Sequence, residues 1–417
     1  MLDLLLEYHG VPVEEEILCG RYRAMNTFIH SSFTLSAFFV CTHPSCGCPR
    51  KLPSAQAGPM ALLSHLVNSA IYCSLNGELD LLSARCACDA PWHGETCEHL
   101  TFEPVDSKLH PGAAAFGWAP NISSWGGSII FSDIDHMWHL FGAQMKSGGL
   151  IGWQRQSECI HAQAGDPAGP FTFHDVAVKS ECHGPAVLTD PQTTELLMFH
   201  QGDHGWLHHA KTPAGPWRPA LGPRSCGMPT AAFHPNGTLY VICGNGERIV
   251  AAEGNWSSGS WRDVHGSNWS RPHLWEDPSL WFDRHGHWHV IFHVYHLDPY
   301  AAHNEAYSGH AYSEDGVLWH FSDSEPFNGT VSFAGGARQT FSTRERPQLV
   351  FSHGGRRGDA SKLSSSSRHT PIGLTNGVSA QPLGPWCDHC KQGACSQCKI
   401  TPGRDWTYTT YVPLVQS

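Results

Sequence analysis

One short pattern recurs five times along the chain and constrains its fold more than any other feature. An apolar strand begins directly after a Gly or Pro at Gly126-GSIIF, Gly184-PAVL, Met228-PTAAF, Asp277-PSLWF and Arg346-PQLVF. The aligned second positions are Gly127, Pro185, Pro229, Pro278 and Pro347, spaced by 58, 44, 49 and 69 residues. Most starts lead into a polar turn and a second strand, as in DIDHMWHLFGA, DPQTTELLMFH, HPNGTLYVIC and DRHGHWHVIFH. The Asn-Gly of HPNGTLYV suits a tight hairpin. Apolar residues alternate from Trp288 to Phe292, the period of a strand. Five units of roughly 45–60 residues, each holding several short antiparallel strands, predict an all-β, five-bladed β-propeller over 116–417. The final strand segment, DWTYTTYVPLV, is placed to close the ring. A β-sandwich with accidental spacing is the competing architecture. The signatures of WD40 and kelch repeats are absent.

Composition narrows the class of partner. Only 15% of residues are charged, with 26 basic against 37 acidic, a net charge of −11. No basic field is present to attract phosphate, so nucleic acid is not an expected partner. Sixteen Cys point to an oxidising compartment. So do five N-x-S/T sequons, at Asn121, Asn236, Asn255, Asn268 and Asn328. The expected localisation is the secretory pathway or outside the cell. The amino terminus fits this poorly: residues 1–24 carry a Glu run, and the apolar segment Phe33–Val40 is short and interrupted. It has the length of a signal core and is too short to span a bilayer. Residues 1–68 are therefore read as an extension with a possible signal segment, and no transmembrane segment is expected.

Residues 73–97 have the skeleton Cys73-x12-Cys86-x-Cys88-x8-Cys97, with Trp92 and Gly94 in the last loop. Four Cys allow three pairings. This skeleton resembles the carboxy-terminal half of an EGF-like module, expected over 69–100, with Cys73–Cys86 and Cys88–Cys97 favoured. It lacks one of the usual three Cys pairs and the acidic residues of the calcium-binding form, so no calcium is carried over.

WEDPSLWFDRHGHWHVIFH, GHAYSEDGVLWHFS, STRERPQLVF and GRDWTYTTYVPL carry a second resemblance. The chain from about 116 is similar to the five-bladed propeller glycosidases of the arabinanase and β-xylosidase type, and more closely to a eukaryotic branch of them. The resemblance implies a carbohydrate-active protein whose partner is a polysaccharide or oligosaccharide. One departure matters. The glycosidases place an essential Asp at the start of the first blade, where this chain has Gly126 and Gly127.

In a propeller the innermost strands begin near the axis, so residues just before the repeated Gly/Pro share a funnel. Two positions before, they are Trp125, His183, Gly227, Glu276 and Glu345; one before, Gly126, Gly184, Met228, Asp277 and Arg346. Glu276, Asp277 and Glu345 are the candidate catalytic residues, because glycoside cleavage needs a proton donor and a second carboxylate. His183, Arg344, Arg346, Trp125 and Trp275 are candidates for substrate binding. Glycan binding without cleavage, and an ion network in which Arg344 and Arg346 neutralise the acids, remain open on the same residues. No metal ligand set or cofactor is assigned, although His183 could hold water on an axial calcium or another ion. His287, His289 and His293 read as structural rather than as zinc ligands.

Cys159, Cys182, Cys226 and Cys243 are expected to form propeller disulfides, with Cys182 and Cys226 placed to bridge adjacent blades. CDHCKQGACSQC, Cys387 to Cys398, reads as a disulfide-stapled loop rather than a cramped zinc site. The 354–369 stretch, with its Arg357–Asp359 R-G-D, reads as a low-complexity loop.

Overall fold

The computed structural model describes residues 69–416 apart from 120–121, 147–148, 180, 203–206, 245–247, 265–274, 295–306, 353–369 and 381–405. The upstream apolar segment, Cys41, Cys46 and Cys48, the R-G-D stretch, the C-x2-C pairs and two sequons, Asn121 and Asn268, lie outside the described residues.

The chain forms a five-bladed propeller of four-stranded antiparallel sheets. The innermost strands are Ser123–Ser132, His183–Thr189, Thr230–Phe233, Trp275–Phe282 and Thr343–Phe351. Blades one to four are each built from four consecutive strands. The fifth is composite: Thr343–Phe351, Pro371–Ser379 and Tyr408–Pro413 are completed at the outer edge by Ala114–Phe116. The carboxy-terminal strand therefore closes the ring by pairing with a strand from before blade one, which leaves no broken seam between first and last blades. That closing strand begins at Ala114, ahead of the expected propeller start of 116. Among the described residues, helix is confined to single turns such as Ser69–Tyr72 and Trp153–Gln156.

Each blade buries its apolar faces against its neighbours. Leu197, Phe199 and Leu207 of blade two pack with Leu239, Val241 and Val250 of blade three. Polar bonds add register between blades. Ser128 Oγ donates to the Pro185 carbonyl at 2.9 Å, Leu280 N donates to Thr230 Oγ1 at 3.0 Å, and Thr375 Oγ1 donates to the Gly127 carbonyl at 2.6 Å.

Every blade starts with a backbone kink at the repeated position. Gly126, Gly184, Met228, Asp277 and Arg346 all have positive φ, between 43° and 62°. In blades one, two, four and five the ladder slips register there, the mark of a β-bulge. A bulge re-aims the side chain beside it and increases local twist, and in blades four and five that side chain is Asp277 and Arg346.

Cys73 is bonded to Cys86 and Cys88 to Cys97. This small module is part of the same compact unit as the propeller. Cys73, Trp92, Cys97 and Leu100 pack with Trp281, Ile291, Leu349 and Leu374 of blades four and five, and Trp92 stacks over Trp281 at 6.3 Å. Of the two Cys expected to bridge adjacent blades, Cys182 does so and Cys226 does not. Cys182 bonds to Cys159 in the third strand of blade one, tying that strand to the connection entering blade two. Cys226 bonds to Cys243 and stays within blade three, because the second strand of its own blade lies nearest the entry to the first. No helix among the described residues is long and apolar enough to cross a membrane.

Candidate functional site

The site is built by the bulges of blades four and five. Glu276 and Asp277 enter on the strand Trp275–Phe282, and Glu345 and Arg346 on Thr343–Phe351. Opposite Glu276 in the ladder stands His293, from the second strand of blade four. Ligand atoms of Glu276, Asp277, His293 and Glu345 all lie within 4.8 Å of one another. His293 Nδ1 is 3.7 Å from Glu276 Oε1. Arg346 Nη1 is 3.1 Å from Asp277 Oδ1.

Arg346 belongs to blade five, yet it touches blades one, two and four. A Cβ on Gly126 would lie 2.9 Å from the Arg346 Cβ, and a Cβ on Gly184 would overlap its guanidinium. Blade two is not adjacent to blade five, so the side chain spans the central axis. The first-blade position Gly126 is therefore both a glycine and roofed by this arginine.

Burial and crowding of like charges shape the acids. Glu345 is pushed up to about 7, chiefly by burial, with His293 and Arg346 opposing and the neighbouring Asp277 and Glu276 charges adding to the shift. Asp277 is raised to about 6 by burial, with Arg346 opposing and Glu276 adding to the shift. Glu276 is raised by burial against the pull of Arg346. These shifts bring protonation of the cluster toward the neutral range. The four clustered side chains also supply the oxygen and imidazole ligands a divalent cation takes.

His183 lies at the same level of blade two, 2% exposed and 5.1 Å from the Trp153 ring. Burial and the Arg346 charge hold its pKa well below the usual range, so the ring is neutral. Three of the expected binding residues have other roles. Trp125 is 1% exposed beneath the Gly377 backbone, and Trp275 is 2% exposed against Phe292 at 4.7 Å. Neither presents a ring face to a sugar. Arg344 is sealed at 2% exposure between Phe102 and Phe327. Its Nε donates to Asn376 Oδ1 at 2.9 Å and its Nη1 to the Asn328 carbonyl at 2.8 Å, so it braces blade five. His293 is the site residue that sequence reading placed elsewhere. Its signal was available in principle, since a hairpin through the DRHG turn sets it opposite Glu276.

No family model matches the sequence, and no curated protein matches it. Solved structures similar to the propeller include a thermostable family-43 glycoside hydrolase, 10% identical with TM-score 0.44, covering 76% of this chain and 93% of that one. An α-L-arabinofuranosidase from Podospora anserina, in complex with cellotriose, is 11% identical with TM-score 0.44 and coverage of 76% and 98%. A family-43 β-1,3-galactosidase is 10% identical with TM-score 0.43; 69% of this chain is covered, but only 55% of that one, so this chain spans about half its length.

Proposed function

We propose that the protein is a secreted glycoside hydrolase that cleaves a polysaccharide at the Glu276–Asp277–Glu345 cluster. The observation that carries this reading is the convergence of three carboxyls from neighbouring blades within 4.8 Å, one of them with its pKa near 7. A carboxyl with that pKa is protonated often enough at neutral pH to donate to a leaving oxygen. Glu345 takes this role. Glu276, partly exposed and with its side chain at the same level, is the ionised partner. Asp277, held by Arg346, tunes both through its charge.

Two mechanisms are open to a carboxyl pair, and the close approach of these acids supports the retaining one. An inverting enzyme keeps its carboxyls about 6.5–9.5 Å apart to admit water, whereas a retaining one holds them at about 5–5.5 Å. The cluster lies at the short end, and Arg346 covers the first-blade position where a more distant base would stand. Glu276 therefore attacks the sugar carbon, and water releases the glycosyl group with Glu345 as base.

The Arg346–Asp277 pair favours a second reading, glycan binding without cleavage, because it neutralises one acid and narrows the axis. One experiment separates the two. Wild type, Glu345→Gln and Glu276→Gln are assayed on arabinan, xylan, galactan and algal polysaccharides, with product anomers followed by NMR. Hydrolysis with retention, reduced by ~10²-fold or more in each variant, supports the enzyme. Oligosaccharide binding without turnover, lost in the same variants, supports the lectin-like reading. Neither activity in folded wild type overturns both.

The secretory part of the proposal draws on the disulfides and the sequons. Asn236, Asn255 and Asn328 are exposed, and each accepts a hydrogen bond from the backbone N–H two residues on. Mass shifts on glycosidase treatment of protein from a eukaryotic secretory host test their occupancy. The EGF-like assignment of the two-disulfide module rests on Cys spacing and on this pairing.

A further inference from the structure

Away from the axis, four side chains of blade one stand in a row that lacks a hydrogen. His139 Nε2 is 3.0 Å from Asp135 Oδ1, His139 Nδ1 is 2.8 Å from His161 Nε2, and His161 Nδ1 is 3.3 Å from Asp175 Oδ1. Each of the three contacts needs one hydrogen. The ionised carboxylates at the two ends bring none, and two neutral imidazoles bring one each. One contact is therefore left with two lone pairs facing each other, unless a cation sits between them.

An extra proton is an expensive cation here. Both rings are 1% exposed, His161 lies face to face with Phe141 at 4.9 Å, and burial lowers its pKa to about 4 despite the pull of Asp175. The open contact is the outer one. It is the longest of the three at 3.3 Å, and its geometry falls outside that of a well-formed hydrogen bond. Filling the inner two contacts fixes the tautomers: His139 donates from Nε2 to Asp135, His161 donates from Nε2 to His139, and the His161 Nδ1 lone pair points at Asp175. A carboxylate–imidazole chain behind a ligating nitrogen is how metal-bound histidines are oriented and made more basic.

A third ligand stands at the same place. His174 Nδ1 is 2.9 Å from Asp175 Oδ2, and ligand atoms of His161, His174 and Asp175 lie within 4.8 Å of one another. Bonds of about 2.0–2.1 Å in tetrahedral geometry put neighbouring ligand atoms about 3.4 Å apart. The 3.3 Å between His161 Nδ1 and Asp175 Oδ1 matches that edge and is long for a hydrogen bond. His174 and Asp175 are 40% and 35% exposed in their side chains, which gives an ion entry from solvent and water the fourth position.

We propose that His161, His174 and Asp175 form a binding site for a zinc-class divalent ion, clamping the outer strand Thr172–Val178 of blade one onto the strand Ser157–Ala164. Two imidazoles and one carboxylate select a borderline metal over calcium or magnesium, which prefer oxygen ligands. The site is independent of the axial carboxylates.

Zinc itself is the probe. The full chain is stripped with chelator, dialysed near pH 7.5 and titrated with zinc by calorimetry, with bound metal counted by mass spectrometry. The comparison variants are Asp175→Asn, which keeps the side-chain shape, and His174→Ala, at an exposed position. His285→Ala, on an exposed His of blade four, is the control. The expected result is one more equivalent of zinc in wild type and in the control than in either variant. Zinc should also raise the melting temperature of wild type but not of the variants. All proteins should melt alike in chelator, which shows that the variants fold. Equal zinc stoichiometry in wild type and both variants overturns the site. So does failure of wild type to bind zinc at 100-fold molar excess, since an imidazolium would then fill the chain.

Discussion

Arg346 Nη1 stands 3.1 Å from Asp277 Oδ1, and both residues occupy left-handed backbone positions, at φ 51° and 54°. Non-glycine residues pay roughly 1–2 kcal/mol for that conformation. Here the same bulge occurs in two successive blades and points both side chains at the axis, so their charges meet across an inter-blade boundary. The pair links the propeller's closure to the electrostatics of its candidate site.

Loss of Arg346 should unbalance that site in a pH-dependent way. In Arg346→Met the opposing charge is gone, so Asp277, Glu276 and Glu345 move to still higher pKa values in the folded protein. A raised carboxyl pKa means that the folded state binds protons more tightly than the unfolded state. The stability it supports is present at low pH and lost as pH rises. Arg346→Met should therefore be near wild type at pH 5 and destabilised by about 3–5 kcal/mol at pH 8, the usual cost of leaving a buried charge unpaired. Thermal melts at the two pH values check this; equal losses at both would mean that Arg346 acts by packing alone.

Glu345→Gln should have the opposite signature. The Glu345 pKa moves from an ordinary 4.5 to about 7 on folding, so wild type loses stability between those values. The slope is at most about 1.4 kcal/mol per pH unit for one proton. The Gln variant has no such titration. Denaturant melts at pH 4.5 and 7.5 should show it gaining on wild type as pH rises. Buried histidines add a separate loss at acid pH that is common to both proteins.

A third expectation concerns blade two. Asp190 accepts from Gln192 N at 2.8 Å, Thr193 Oγ1 at 2.7 Å and Trp256 Nε1 of blade three at 2.9 Å. Truncation to Ala leaves a buried indole N–H and a turn without acceptors, so Asp190→Ala should cost about 1–3 kcal/mol. Asp190→Asn should recover part of it, because an amide oxygen still accepts. Chemical denaturation of the three proteins measures both.

The five blade starts were legible because each takes a left-handed backbone position next to a Gly or Pro, and that requirement is written at each repeat. The gathering of Glu276, Asp277 and Glu345 followed from the same register. What could not be read was anything set by partners distant in sequence. Ala114–Phe116 is three residues long and is a strand only because Tyr408–Pro413 lies beside it. His293 joins the site through ladder pairing, and nothing in the spacing of His287, His289 and His293 marks it out. Trp125 holds the register expected of a funnel and Trp275 lies one position before it, yet both rings pack into the core. The row from Asp135 to Asp175 is assembled across three strands, and each of its residues is ordinary by itself.

The reach of Arg346 leads to the last prediction, a test of whether this arginine has taken the place of a first-blade acid. Gly126→Asp alone should fold poorly. The position has φ 62°, and a Cβ there lies 2.9 Å from the Arg346 Cβ, tighter than side chains tolerate. Asp is among the residues that accept the left-handed region best, so the backbone term is modest and the steric term decides. Removing the Arg346 side chain down to the backbone opens the space. Gly126→Asp combined with Arg346→Gly should then be more stable than the sum of the single changes implies, with a coupling of about 1 kcal/mol or more, as expected for residues in contact. The double variant also puts a new carboxylate across the axis from Glu345, with the guanidinium removed. If the cluster cleaves glycans by short-spaced chemistry through Glu276, the double variant should lose activity with Arg346 and not regain it. Recovery of hydrolysis with inverted product would mean that the wild-type axis is an inverting site blocked by Arg346, and that Glu276 is not the nucleophile. Additive destabilisation, with no coupling, would mean that the two positions do not share the axis.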